Sequence, residues 1–217
     1  MKEDIIPVSE LTEEGFAAAV ALWQEWNARI NVVSRQDAGN LYAHHVLHSL
    51  AIARYMEIFH PGEPAQGSTV LDLGTGGGFP GIPLAFAWPG ARFTLCDSIG
   101  KKVRVAEAVR SGLDLGCVSC LCARAESLKG PFDWVVTRAV ARLDVLYPWV
   151  AGKFSRSILC LKGGDVLSEI SELGRRCRVD AGRIRVWSIS DWISDEYFKE
   201  KFVIEIGKSY LCPPKFD

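Results

Sequence analysis

The chain has 217 residues, enough for one domain with a substantial buried core, or for one domain with an appendage. Its 48% hydrophobic and 24% charged residues are ordinary for a soluble globular enzyme, and no window approaches the ~20 apolar residues of a membrane span. The net charge of −1 decides nothing about nucleic acid, because a local patch can outweigh the sum.

Residues 9–30 carry apolar side chains at Leu11, Phe16, Val20, Leu22, Trp23, Trp26 and Ile30, the spacing of an amphipathic helix, with Ser9 or Thr12 as its cap. Polar residues and Gly39 interrupt the pattern. A second helix is predicted over 41–59, stopped by Pro61, Gly62 and Pro64. From residue 68 the pattern alternates. Strand-like runs at 69–73, 91–97, 117–123, 134–137 and 157–162 are separated by helix-like segments at 80–88, 101–111 and 139–154. That alternation predicts a mostly parallel sheet covered on both faces. A polar helix over 166–178 and strands at 183–189 and 202–206 close the series as a hairpin, so the sheet ends in an antiparallel strand. The expected organisation is an α/β Rossmann-like core at 67–217 with an N-terminal helical extension at 1–66.

The seven cysteines are scattered and odd in number, as in a reducing compartment, and the acidic start Met1-Lys2-Glu3-Asp4 lacks the features of a signal peptide. A soluble, cytoplasmic protein is expected. Cys117-x-x-Cys120-x-Cys122 has the look of a metal half-site, but no second pair completes it, and its thiols are read as strand packing with no metal.

The most informative stretch is Val70-Leu71-Asp72-Leu73-Gly74-Thr75-Gly76-Gly77-Gly78-Phe79-Pro80-Gly81, in which five glycines fall within eight positions. It reads as a buried strand, a tight loop and the open N-terminus of a helix, where a nucleotide-like cofactor can lie against bare backbone. Two ligands compete. Gly76-x-Gly78-x-x-Gly81 matches the dinucleotide fingerprint, and Asp97 ends the next strand where a ribose-binding acid belongs. Asp72 argues against a dinucleotide, because a carboxylate at that strand end repels a pyrophosphate. It suits a ligand carrying an amine and a sulfonium, S-adenosylmethionine, which Asp72 would meet directly or through water. Asp97 would accept from both ribose hydroxyls. Methyl transfer is favoured over hydride transfer.

With these motifs the chain resembles the bacterial 16S ribosomal RNA guanine-N7 methyltransferases, also called glucose-inhibited division protein B. The resemblance runs through Trp26-Asn27, Asn31-Val32-Val33-Ser34, His45-Val46-Leu47-His48-Ser49-Leu50, the segment 72–84, Leu95-Cys96-Asp97-Ser98 with Lys101-Lys102, Arg124-Ala125-Glu126, Thr137-Arg138-Ala139 and Leu161-Lys162-Gly163. It implies a class I methyltransferase fold and transfer of one methyl to N7 of a guanine near the decoding site of the small subunit. By position it implies that Gly74 and Phe79 line the cofactor loop and that Asp97 with Ser98 meets the ribose. Ala125 and Glu126 would lie at the adenine edge, and Arg138 beside the reacting end. His48 departs from the family's usual Asp, and Val33-Ser34 from its frequent Leu-Thr.

Guanine N7 carries a free lone pair, so no general base is expected and catalysis reduces to alignment. Arg138 is the expected catalytic residue, orienting the base through O6, or a phosphate, as against an ion pair with Glu126 or Asp72 that only closes the pocket. An RNA substrate calls for local positive charge. Residues 92–110 hold Arg92, Lys101, Lys102, Arg104 and Arg110 against Asp97 and Glu107; residues 138–156 hold Arg138, Arg142, Lys153 and Arg156 against Asp144. Lys101, Lys102, Arg104, Arg142 and Lys162 are the expected RNA contacts, with Arg35, His44 and His45 as a possible rim. Lys162 reads equally well as a cap on a carbonyl. No tryptophan is assigned to RNA. The expected partner is 16S rRNA or the 30S subunit, acted on by a monomer. The rivals are a methyltransferase for a non-RNA substrate, a catalytically silent rRNA-binding assembly factor, and an NAD-dependent oxidoreductase.

Overall fold

The computed structural model describes residues 4–34 and 37–211. Arg35, one of the residues assigned to the basic rim, lies outside them. Among the described residues seven strands form one sheet: β1 (Thr69–Leu73), β2 (Arg92–Asp97), β3 (Val118–Cys122), β4 (Phe132–Arg138), β5 (Phe154–Gly163), β6 (Ile184–Ser188) and β7 (Lys201–Gly207). Their order is β3-β2-β1-β4-β5-β7-β6. The first five strands pair in parallel, while β7 runs antiparallel to both β5 and β6. Val70, Leu71 and Asp72 in β1 are wholly buried, as a central strand with covered faces requires. The chain moves outward from β1 to β3, then returns to place β4 on β1's other side. That reversal opens a crevice at the carboxyl ends of β1 and β4.

Among the described residues six α-helices accompany the sheet: α1 (Ala17–Asn27), α2 (His48–Phe59), α3 (Gly81–Ala87), α4 (Gly100–Gly112), α5 (Leu143–Val150) and α6 (Val166–Cys177). The long first helix predicted from spacing is broken. Short 3-10 turns at Val8–Glu10 and Glu14–Phe16 precede α1, and Thr12 accepts from the Gly15 amide at 3.3 Å. The second begins as a π-helical segment, Leu41–Leu47, before continuing as α2. The helix predicted from residue 139 starts only at Leu143, because Ala139 takes a φ of 51° and the chain bends after β4. Apolar residues of α1 and α2, among them Trp23, Leu50, Ile52 and Tyr55, share one core with Val70, Phe93 and Val136 of the sheet. Cys117 and Cys120 pack against that core, and Cys122 at the end of β3 is exposed.

No helix among the described residues is long and apolar enough to cross a membrane.

Candidate functional site

A cavity of about 430 Å³ opens over the carboxyl ends of β1, β2 and β4. The glycine loop forms its floor. Gly74 leaves β1 with a φ of 71°, and a Cβ there would lie 2.2 Å from Val140 Cγ2, so only glycine lets the loop pass under the β4 bend. Gly76 also has a positive φ, 58°, but a Cβ there would meet nothing within 4 Å. Its bare backbone faces open space, the cradle a ligand needs. Asp97 closes the loop: Oδ2 accepts from the Gly76 amide at 3.0 Å and Oδ1 from the Ile99 amide at 2.9 Å. Each oxygen keeps a lone pair for a further donor, so the carboxylate fits a pair of ribose hydroxyls. Ser98, Ala125, Glu126 and Trp149 complete the walls. Lys153 donates to the Ala125 carbonyl and steadies that edge.

Asp72, expected to meet the ligand directly or through water, lies beneath this cavity and does not line it. Its carboxylate is fully buried, and Oδ2 accepts from Thr75 Oγ1 at 2.6 Å and the Gly81 amide at 2.8 Å. Asp72 therefore ties the start of the loop to the start of α3. Burial pushes its pKa up to about 7, against the pull of the Thr75 and Gly81 hydrogen bonds. Gly78 likewise shapes the loop without lining the cavity: it accepts from the Ile82 amide at 2.8 Å.

Sequence reasoning missed what holds the loop from outside. Trp23 of α1 donates from Nε1 to the Gly77 carbonyl at 2.7 Å and stacks on Phe79 with ring centroids 4.3 Å apart. Asn27 Oδ1 accepts from the amides of both Val32 and Val33 at 2.9 Å. That turn brings Val32 against Gly77 and into the cavity wall. The only signal in the sequence was the Trp26-Asn27 and Asn31-Val32-Val33 segment, which periodicity treats as an ordinary helix end.

A second cavity of about 520 Å³ adjoins the first and shares Arg138, Ala139 and Val140 with it. Arg142, Lys162, Tyr197 and Lys201 line its outer part, and His45 and His48 its inner wall. Arg138 stands at the junction, partly buried, its guanidinium 5.0 Å from the Phe79 ring centroid. Among the described residues it makes no salt bridge with Glu126 or Asp72; its partner is His45, whose Nδ1 accepts from Nη2 at 2.8 Å. His45 is buried, and burial with the adjacent Arg138 charge pulls its pKa down to about 4. The basic rim expected of His44 and His45 is thereby corrected: His45 is a buried neutral imidazole, and His44 is held by Asp37.

The expected RNA contacts divide. Lys101, Lys102 and Arg104 project from α4 beside the first cavity, exposed or partly exposed and in no salt bridge among the described residues; Lys102 lines the cavity itself. Arg142 is half exposed and pairs loosely with Asp144 at 3.4 Å. Lys162 is spent internally, donating to the Ala141 carbonyl at 2.5 Å and to Glu169 at 2.8 Å, the carbonyl-capping alternative of its two readings. Arg110 pairs with Glu107, and Arg156 with Glu63, so the linear charge counts overstate the free positive surface.

The model of the family rRNA small subunit methyltransferase G matches residues 13–190. A ribosomal RNA small subunit methyltransferase G from Bacteroides thetaiotaomicron is 44% identical, covering 90% of this chain and 94% of its own. The namesake from Flavobacterium psychrophilum is 41% identical over 88% of each chain. Among solved structures, the magnesium protoporphyrin IX methyltransferase of Synechocystis with bound SAM is similar at a TM-score of 0.63 and 16% identity, over 90% of this chain and 94% of that one. An rRNA methylase of Clostridium thermocellum, described as putative, reaches a TM-score of 0.53 at 18% identity, over 75% and 97% respectively. The two structural likenesses carry the fold.

Proposed function

The chain belongs to the rRNA small subunit methyltransferase G family, and from that premise we propose that it uses S-adenosylmethionine to form 7-methylguanine at one guanine of 16S rRNA. The observation that carries this reading is the pair of joined cavities: one built for a nucleoside cofactor, the other cationic, with Arg138 in their common wall. S-adenosylmethionine supplies an electrophilic methyl group. The Gly74–Phe79 loop receives the cofactor on bare backbone, and Asp97 and Ser98 take its ribose. Ala125 and Glu126 border the adenine. Arg138 donates to guanine O6 or to a phosphate and leaves the N7 lone pair free. No side chain needs to remove a proton, since neutral guanine is already nucleophilic at N7; alignment is the main task.

Lys101, Lys102 and Arg104, with Arg142 on the other side, offer phosphate contacts around the mouth. Lys162 contributes by holding the β5 end against α6 rather than by touching RNA. Residues 1–66 serve as a helical extension of the 67–217 core, and its loop contacts through Trp23 and Val32 tie that extension to cofactor binding. The partner is 16S rRNA, free or within the 30S subunit, met in the cytoplasm by a monomer.

The test is incubation of the purified protein with labelled S-adenosylmethionine and unmodified 30S subunits, with free 16S rRNA in parallel, followed by nuclease digestion and mass spectrometry. One 7-methylguanine in 16S rRNA is the expected product. Normal cofactor binding with no transfer to either RNA would overturn the substrate assignment in favour of a non-RNA acceptor or a silent rRNA-binding factor.

A further inference from the structure

The wall between the two cavities is held from the N-terminal side by a single carboxylate. Asp37 Oδ2 lies 2.6 Å from His45 Nε2, and Asp37 Oδ1 bonds His44 Nδ1. The partners dictate the His45 tautomer. A guanidinium can only donate, so Nδ1 facing Arg138 is the acceptor, and Nε2 carries the proton given to Asp37. On the other branch, the His44 ring stacks on Tyr197 with centroids 3.7 Å apart and planes within 2°, and Tyr197 donates back to the His44 carbonyl at 3.3 Å. Lys201 sits 3.9 Å from the Tyr197 ring centroid. The two oxygens of Asp37 thus reach Arg138 through His45, and Tyr197 with Lys201 through His44. All three end residues line the second cavity.

We propose that Asp37 is the positioning residue of the acceptor side: it fixes the His45 tautomer and the His44 ring, and through them the guanidinium of Arg138 and the Tyr197–Lys201 wall. Asp37 touches neither cavity's occupant, and its effect is indirect. If the carboxylate is lost, nothing holds the proton on His45 Nε2. The other tautomer turns an N–H toward the guanidinium, two donors face each other, and Arg138 leaves its place at the junction. The inference rests on the reading that Arg138 orients the acceptor.

The test is a double-mutant cycle on methyl transfer to 30S subunits, using Asp37→Ala, Arg138→Ala and the pair, with cofactor affinity measured for each. Asp37→Ala is expected to lower kcat on the order of 10-fold or more, since displacement of an orienting group by about 1 Å can cost 100-fold. Its cofactor affinity should stay within about twofold of wild type, because Asp37 does not line the first cavity. In the Arg138→Ala background the same change should cost less than in wild type, leaving only the loss that runs through His44 to the Tyr197–Lys201 wall. Long-range proton–nitrogen NMR should show His45 protonated at Nε2 in the wild type and redistributed in Asp37→Ala. Asp37→Asn, which keeps an acceptor for one imidazole, should fall between the two, and it carries the cycle if the alanine variant does not fold. Unchanged turnover in the Asp37 variant beside an impaired Arg138→Ala overturns this inference alone. So does an equal loss in both backgrounds, or an unaltered His45 tautomer. Full turnover in Arg138→Ala instead removes the functional reading on which it stands.

Discussion

The indole N–H of Trp23 donates to the carbonyl of Gly77 across 54 positions of sequence, at 2.7 Å and out of solvent. This one bond makes the first helix part of the cofactor loop. A glycine-rich loop has no side chains with which to hold its own shape, so a packing partner must supply the restraint. Trp23 does this twice, through the bond to Gly77 and the stack on Phe79.

Trp23→Phe keeps an aromatic ring and deletes the donor, leaving the buried Gly77 carbonyl unpaired. The expected cost is about 1–3 kcal/mol, read as a lower urea midpoint. Cofactor affinity by calorimetry should weaken roughly 5-fold or more, as the loop loses its fixed shape. Affinity equal to wild type would show that the loop holds itself.

Gly76→Trp tests the cradle. The left-handed backbone there strains any residue with a Cβ by about 1–2 kcal/mol, a loss the core should tolerate. The indole would enter the open space in front of Gly76. Cofactor titration should therefore give no heat while the circular dichroism spectrum is retained; a variant that still binds would mean the ligand does not lie on Gly76.

Asp72 and Glu205 should bend the pH profile of stability in opposite directions. Asp72 is raised to about 7 by burial, so the folded state keeps its proton over a range where the unfolded chain, near 3.8, has released it. Its contribution to stability therefore declines as pH rises from about 4 to about 7. In urea titrations at pH 5 and pH 8, Asp72→Asn should gain on the wild type at the higher pH. A difference that stays constant would place the wild-type pKa near its ordinary value.

Glu205 is wholly buried on β7. Burial alone would raise its pKa, but hydrogen bonds from His60 at 3.0 Å, Ser157 at 2.6 Å and Tyr55 at 2.5 Å hold it below the ordinary glutamate value. Its contribution is therefore fully present above pH ~4.5 and lost as pH falls through the depressed folded value. Glu205→Ala should cost about 3–5 kcal/mol at pH 7, with the gap to wild type narrowing in acid. An undiminished gap at low pH would assign the loss to packing instead of charge.

The sequence by itself determined the strands, the glycine loop and the acid at the end of β2, because each is a local matter. A buried strand needs a run of apolar residues, a loop under a ligand needs missing side chains, and Asp97 follows the loop by one βαβ unit. Motif resemblance extended the same reading to the cofactor and the RNA. Lys162 shows where local reading stops, since its two interpretations differ only in whether Glu169 and the Ala141 carbonyl lie within reach.

Only the tertiary structure decided which polar groups are free. Asp72, near the loop in sequence, lies under it with Oδ2 bonded to Thr75 and Gly81, whereas Trp23, Asp37 and His45, far away in sequence, stand against the site. Periodicity reports which face of a helix is apolar, but not which buried carbonyl or guanidinium waits opposite. Those partners are set by how α1 and the Leu41–Leu47 turn settle on the sheet. Leaving the buried Trp23 donor unpaired would be costly, so the packing that supplied its partner also built the site.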